Sequence, residues 1–176
     1  IKASAVGFLA IYAAQRTQGL RAGLFVIALA LGALGDAVIE ISFMAGGVAF
    51  LASHIAAIFF YRRYLRTEPS TSRRWATIFL LVAVPLVSWW LSDDPLIAVY
   101  AIGLGGMAMA VWLSLFPQWR VGLGALLFVF SDWLIFSRFG PFDLAPLPDL
   151  LIWPTYYLGQ LLIATGVVQT LRRFRR

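Results

Sequence analysis

The chain is a succession of long apolar runs with almost nothing charged inside them, and this decides what it can fold into. A helix needs about 20 mainly apolar residues to cross the hydrocarbon core of a bilayer. Seven candidate segments lie at 3–15, 22–41, 45–61, 75–92, 95–116, 120–137 and 150–171, the first of them short. They are apolar on most faces, as lipid-embedded helices are, and lack the single apolar stripe of a helix on a soluble core. The breaks between them carry turn chemistry and charge: "QRTQGLR", "YRRYLRTEPSTSRR", "SDDP", "FPQWR" and "RFGPFDLAPLPD". Of the 176 residues 61% are hydrophobic and 12% charged, about half the charged fraction of an ordinary soluble domain. The pattern predicts an all-α, polytopic transmembrane helix bundle with seven visible spans. It fills residues 1–176 as a single integral membrane domain and leaves no length for a soluble one.

The chain has no cysteine, so no disulfide framework or thiol chemistry is expected. Its single histidine, His54, argues against a multi-histidine metal site, and neither metal nor other cofactor is expected. The net charge of +6 would point a soluble protein towards nucleic acid. Here the cations sit beside apolar runs, which reads as topology signal and contact with anionic headgroups, not nucleic acid. Twelve of them fall on one side: Arg16, Arg21, Arg62, Arg63, Arg66, Arg73, Arg74, Arg120, Arg172, Arg173, Arg175 and Arg176. Only Lys2 and Arg138 fall on the other, with "SDDP", Asp143 and Asp149. The asymmetry predicts that the arginine-rich loops and the C-terminus are cytoplasmic, and the basic, Ala-, Arg- and Trp-rich usage with short loops points to a bacterial inner membrane. Trp75, Trp89, Trp90, Trp119 and Trp153 fall near segment ends, where interfacial aromatics belong. Pro95 is expected to open the fifth helix after the "SDDP" turn, and Pro154 to sit early in the seventh, where a missing N–H costs little.

Against this apolar background a few polar residues stand out. At ~1.5 Å per residue, Asp36 and Asp132 each fall roughly 8 Å below the end opposite the arginine-rich side. On the same scale His54 falls roughly 14 Å from that end, and Tyr156, Tyr157 and Gln160 roughly 9–15 Å. Asp36 and Glu40 are spaced i,i+4, and Tyr156 and Tyr157 neighbour Gln160 at i,i+4 and i,i+3. Gly124, Phe128 and Asp132 form one stripe; Gly46 or Gly47, Phe50 and His54 form another. Glycines there allow helices to approach closely beside the polar groups. A shared polar cavity would make two membrane-embedded carboxyls tolerable, and such groups are functional by default.

These motifs resemble the YhhN-like membrane proteins, the lysoplasmalogenase family. The matching pieces are "GALGD" at 32–36, "FMAGGVAFLASH" at 43–54, "GALLFVFSD" at 124–132 and "TYYLGQLLI" at 155–163. One departure is that Ala56 and Ala57 follow His54 where the family often carries an aromatic residue. The resemblance implies about eight spans in the full-length protein, hence a helix before Ile1. It also implies hydrolysis of the vinyl ether bond of a lysoplasmalogen to a fatty aldehyde and a glycerophospho-alcohol. Carried over by motif, the site residues are Asp36, His54, Asp132, Tyr156, Tyr157 and Gln160.

A vinyl ether is cleaved by protonating its β-carbon, and water captures the oxocarbenium ion that results. The reaction wants one carboxyl holding a proton and a second, ionised one beside it. Asp36 and Asp132 are the expected acid/base pair, in either order, with His54 positioning water or tuning them. Tyr156, Tyr157 and Gln160 would orient the glycerol and ether oxygens, and Arg138 would contact the phosphate. The expected partners are a lysophospholipid substrate and membrane lipids. The rival expectations are a proton-coupled transporter, since Asp, His and Tyr are also relay residues, and a non-catalytic lipid-binding protein.

Overall fold

The computed structural model describes residues 2–174, without the side chains of residues 2, 20 and 21. The topology assignments of Arg175 and Arg176, and those that rest on the side chains of Lys2 and Arg21, lie outside the described residues. Seven α-helices follow one another: α1 (Lys2–Arg16), α2 (Leu20–Val38), α3 (Phe43–Tyr61), α4 (Thr71–Ser92), α5 (Pro95–Leu113), α6 (Leu123–Phe136) and α7 (Leu147–Phe174). A 3₁₀ turn over Arg62–Tyr64 extends α3, and a π-helical turn over Gln118–Gly122 leads into α6. With those extensions, five helices are long and apolar enough to cross a membrane, and Ala22–Val38 forms a shorter apolar helix. At ~1.5 Å per residue, α1 spans about 22 Å, short of the roughly 30 Å hydrocarbon core. The seven expected segments are therefore all helices, though not all of full spanning length. The molecule is a helical integral membrane protein.

The breaks follow from local chemistry. Ser42 caps α3 by accepting from Ala45 N, and Asp94 caps α5 through Leu96 N at 2.8 Å, with Pro95 in the first turn. Asp93 closes α4 in the left-handed conformation, so "SDDP" is a helix-to-helix turn as expected. The 62–74 loop is tied to the end of α5. Arg66 Nε donates to Ser114 O and Arg73 Nη1 to Trp112 O, both at 3.0 Å. Leu65 and Ser114 form an antiparallel bridge. Below it Phe60, Tyr61, Tyr64 and Phe116 pack ring against ring.

Pro154 does not lie at the start of its helix. α7 begins at Leu147, so Pro154 is its eighth residue. The Leu150 carbonyl thus loses its usual amide donor, which membrane helices tolerate when neighbouring groups rearrange. Thr155 Oγ1 donates to the next carbonyls along, Leu151 O at 2.6 Å and Ile152 O at 3.2 Å.

The pairs α2/α3, α4/α5 and α6/α7 form antiparallel hairpins, and contacts of α3 with α5, α5 with α6 and α1 with α7 join them. Large apolar side chains such as Phe8, Val48, Phe79 and Val99 face outward. That suits a hydrocarbon solvent, whereas in water so much exposed apolar surface would aggregate. Asp36, Ser53, His54, Ser131, Asp132 and Gln160 face inward and are buried.

Candidate active site

Close helix crossings bring the inward polar groups together. A Cβ on Gly124 would lie 2.7 Å from Gly159 O, and one on Gly159 would lie 2.8 Å from Gly124 O. No larger residue fits at either place, so α6 and α7 cross nearly backbone to backbone, beside Phe128 and Gln160. Between α2 and α3 the close positions are Gly35 against Phe50 and Gly46 against Ile39. Of the two candidates Gly46 and Gly47, Gly46 makes the contact, and Gly47 faces open space.

These contacts set the depth of each group. Gly35 faces Phe50, Ile39 faces Gly46 and Gly32 approaches Ser53, an antiparallel register that places His54 opposite residue 31. His54 therefore lies about 7 Å further along α2 than Asp36, at ~1.5 Å per residue. α2 also ends at Val38 and not at residue 41. Asp36 is thus only about 3 Å from the helix end, not 8 Å. Glu40 lies beyond the helix and is exposed, so it does not share a helical face with Asp36. The polar residues form a staircase, and its step from Asp36 to His54 is close to the roughly 6 Å that the sequence depths imply.

Tyrosines bridge the steps. The Tyr156 hydroxyl of α7 donates to Asp36 Oδ2 of α2 at 2.8 Å, across 120 positions of sequence. Gln160, one turn along α7, is buried, and a Cβ on Gly32 of α2 would lie 3.6 Å from its Nε2. In a second arm the Tyr100 hydroxyl of α5 donates to Asp132 Oδ2 of α6 at 2.8 Å. His54 Nε2 of α3 lies 3.0 Å from the same hydroxyl. That hydroxyl has one hydrogen, directed at Asp132, so its oxygen is left to accept from His54 Nε2–H. Phe128 stands between the arms, with its ring centroid 5.3 Å from that of His54 and 5.2 Å from that of Tyr156. Phe50 packs edge-on against both Phe128 and Tyr156.

Five of the seven residues singled out from the sequence thus meet here: Asp36, His54, Asp132, Tyr156 and Gln160. Tyr157 is half-buried and faces Trp153 at 5.1 Å, beside the cluster. Arg138 is exposed at the head of α6, where it forms an ion pair with Asp149. Sequence reasoning missed Tyr100, which looks like one more aromatic in "LIAVYAIGLGG". The structure seats α5 against α3 here: a Cβ on Gly103, three residues on, would lie 2.4 Å from Leu51 Cδ1 and 4.0 Å from His54 Cβ. Among the described residues no three His, Asp or Glu side chains gather as a metal-binding set.

No curated protein and no solved structure matches the chain. The YhhN family model matches residues 1–167, nearly the whole sequence. With that span covered and the motif residues of four helices facing one another inside the bundle, the chain belongs to the YhhN family.

Proposed function

We propose that this protein is a membrane-embedded hydrolase that cleaves the vinyl ether bond of a lysoplasmalogen or a closely related lysolipid. Family membership supports the reaction class. The observation that carries the reading is the pair of buried carboxyls on separate helices, Asp36 and Asp132, each accepting a hydrogen bond from a tyrosine hydroxyl.

In the proposed reaction one carboxyl gives its proton to the β-carbon of the vinyl ether. The double bond's electron pair forms the new C–H bond, and the ether oxygen stabilises the cation left on the α-carbon. The other carboxylate faces that cation and takes a proton from the water that adds to it. The hemiacetal then gives its hydroxyl proton to the first carboxylate while the second carboxyl protonates the departing glycerol oxygen, so the C–O bond breaks to an aldehyde and a glycerol hydroxyl and both carboxyls return to their starting states. No electron is gained or lost. Proton transfer by a positioned group contributes about 10²–10⁴-fold, and stabilisation of the cation by a fixed negative charge adds to it. Tyr100 and Tyr156 hold each carboxyl in one orientation, and His54 holds Tyr100.

The test is aldehyde release from a vinyl ether lysolipid by the full chain in detergent, with Asp36→Asn and Asp132→Asn beside wild type. Both variants are expected to fold and to lose turnover. Full turnover by either folded variant would remove that carboxyl from the chemistry.

A further inference from the structure

At the end of the bundle opposite the arginine-rich loops, the segment joining α6 to α7 encloses a cleft of 370 Å³ lined by Ser137–Arg138, Gly140–Ala145, Pro148 and Asp149. Three contacts seat this segment. A Cβ on Gly140 would lie 1.9 Å from Leu91 O, so the chain runs directly over the end of α4. Phe142 packs on Trp90 with centroids 4.5 Å apart, and Phe139 on Phe43 at 4.6 Å. The charges on its walls are of both signs. Arg138 pairs with Asp149, and Asp143, which also lines the cleft, accepts from Ala145 N through Oδ1. Both members of the ion pair are largely solvated, with side chains 46% and 73% exposed. Exchanging it for other partners therefore costs little.

We propose that this cleft binds the headgroup of a zwitterionic lysolipid. Arg138 takes the phosphate, and the carboxylates of Asp143 and Asp149 take the ammonium group. The inference rests on the hydrolase reading, because the same lipid must reach Asp132. The spacing suits that: Asp132 to Ser137 is five residues of helix, about 7 Å. A phosphorus atom lies seven bonds from the β-carbon of an sn-1 vinyl ether, about 8 Å when extended at ~1.2 Å per bond. A lipid with its phosphate at Arg138 thus brings its double bond level with the carboxyl. A cleft with one cation and two carboxylates repels a doubly charged phosphate monoester and accepts a phosphodiester that carries its own cation.

The experiment has a binding arm and a turnover arm, both on the full chain in neutral detergent. The binding ligand is a saturated 1-alkyl ether lysophosphocholine, which has no vinyl bond to cleave. Arg138→Gln is expected to weaken its binding at least about tenfold, the size of one charge-assisted hydrogen bond. The same variant should leave binding of the headless 1-alkylglycerol unchanged. Asp143→Asn with Asp149→Asn should weaken the phosphocholine lipid and strengthen the corresponding phosphate monoester. Arg138→Lys, which keeps the charge, should restore part of the loss and shows that the fold survives. Changes within twofold for every ligand, or equal losses for the headless lipid, would overturn the headgroup site. In the turnover arm KM should follow these affinities while kcat stays within about twofold. Binding that responds as stated, with no aldehyde formed by wild type from any vinyl ether lipid, would leave the cleft standing and remove the hydrolase reading.

Discussion

The two carboxyl arms use the same parts and are built to different depths. Asp36 sits close to the end of its helix, and Tyr156 reaches up to it from α7. Asp132 sits four residues inside the end of α6 and is held through a chain of three, His54 to Tyr100 to Asp132, which ties α3, α5 and α6 together. A carboxyl at the end of a chain senses changes two residues away. The Asp132 arm should therefore respond to substitution at His54 on α3 as well as at Tyr100 on α5, and the Asp36 arm to substitution at Tyr156 on α7.

Substitutions can break this comparison or sharpen it. The largest effect is expected at the carboxyls: Asp36→Asn and Asp132→Asn should each lower kcat by about 10²–10⁴-fold. A hundredfold difference between them, measured as aldehyde release, would identify the arm whose charge matters more. Next comes close packing. Gly124→Ala or Gly159→Ala forces α6 and α7 apart and should destabilise the folded chain by about 1–3 kcal/mol, read as a lower midpoint of thermal unfolding in detergent. The tyrosines follow. Tyr100→Phe and Tyr156→Phe each remove a hydroxyl from a carboxyl and should cost about 10–100-fold in kcat/KM if the bond has the 1.5–3 kcal/mol of a charge-assisted one. A His54→Gln substitution should then add little on top of Tyr100→Phe, because both act through the same arm, but should add fully to Tyr156→Phe. Equal effects in the two double variants would show that the arms are not separate. The smallest effect is expected at Glu40, exposed beyond the end of α2. Glu40→Gln should change turnover less than twofold.

The helices were legible because a bilayer demands long apolar runs. Segments 45–61 and 95–116 fall within three residues of α3 and α5 at either end. The ends were less so. Nothing in "GDAVIEISF" fixes whether α2 stops at Val38 or at residue 41, and that difference moved Asp36 by several ångströms relative to the helix end. α7 began three residues earlier than expected because proline can lie inside a membrane helix. The motif residues were legible as a set, since ionisable groups inside an apolar run need a reason. Tyr100 was not, because its role depends on which helix faces α5, and helix pairing leaves no mark in the period of a single segment. Nor could the sequence settle that Tyr157 turns to Trp153 while its neighbour Tyr156 turns to Asp36.

Two of the five arginines between Arg62 and Arg74 donate to carbonyls at the end of α5. Their positive charge is fastened to the protein as well as placed beside the membrane. A lysine at 66 or 73 would keep the orientation signal but could not reproduce the guanidinium's planar, directional donors. The side chains that make this loop basic also lock the α3–α4 connection onto α5. Removing one of them would therefore loosen the connection as well as lower the charge of that end.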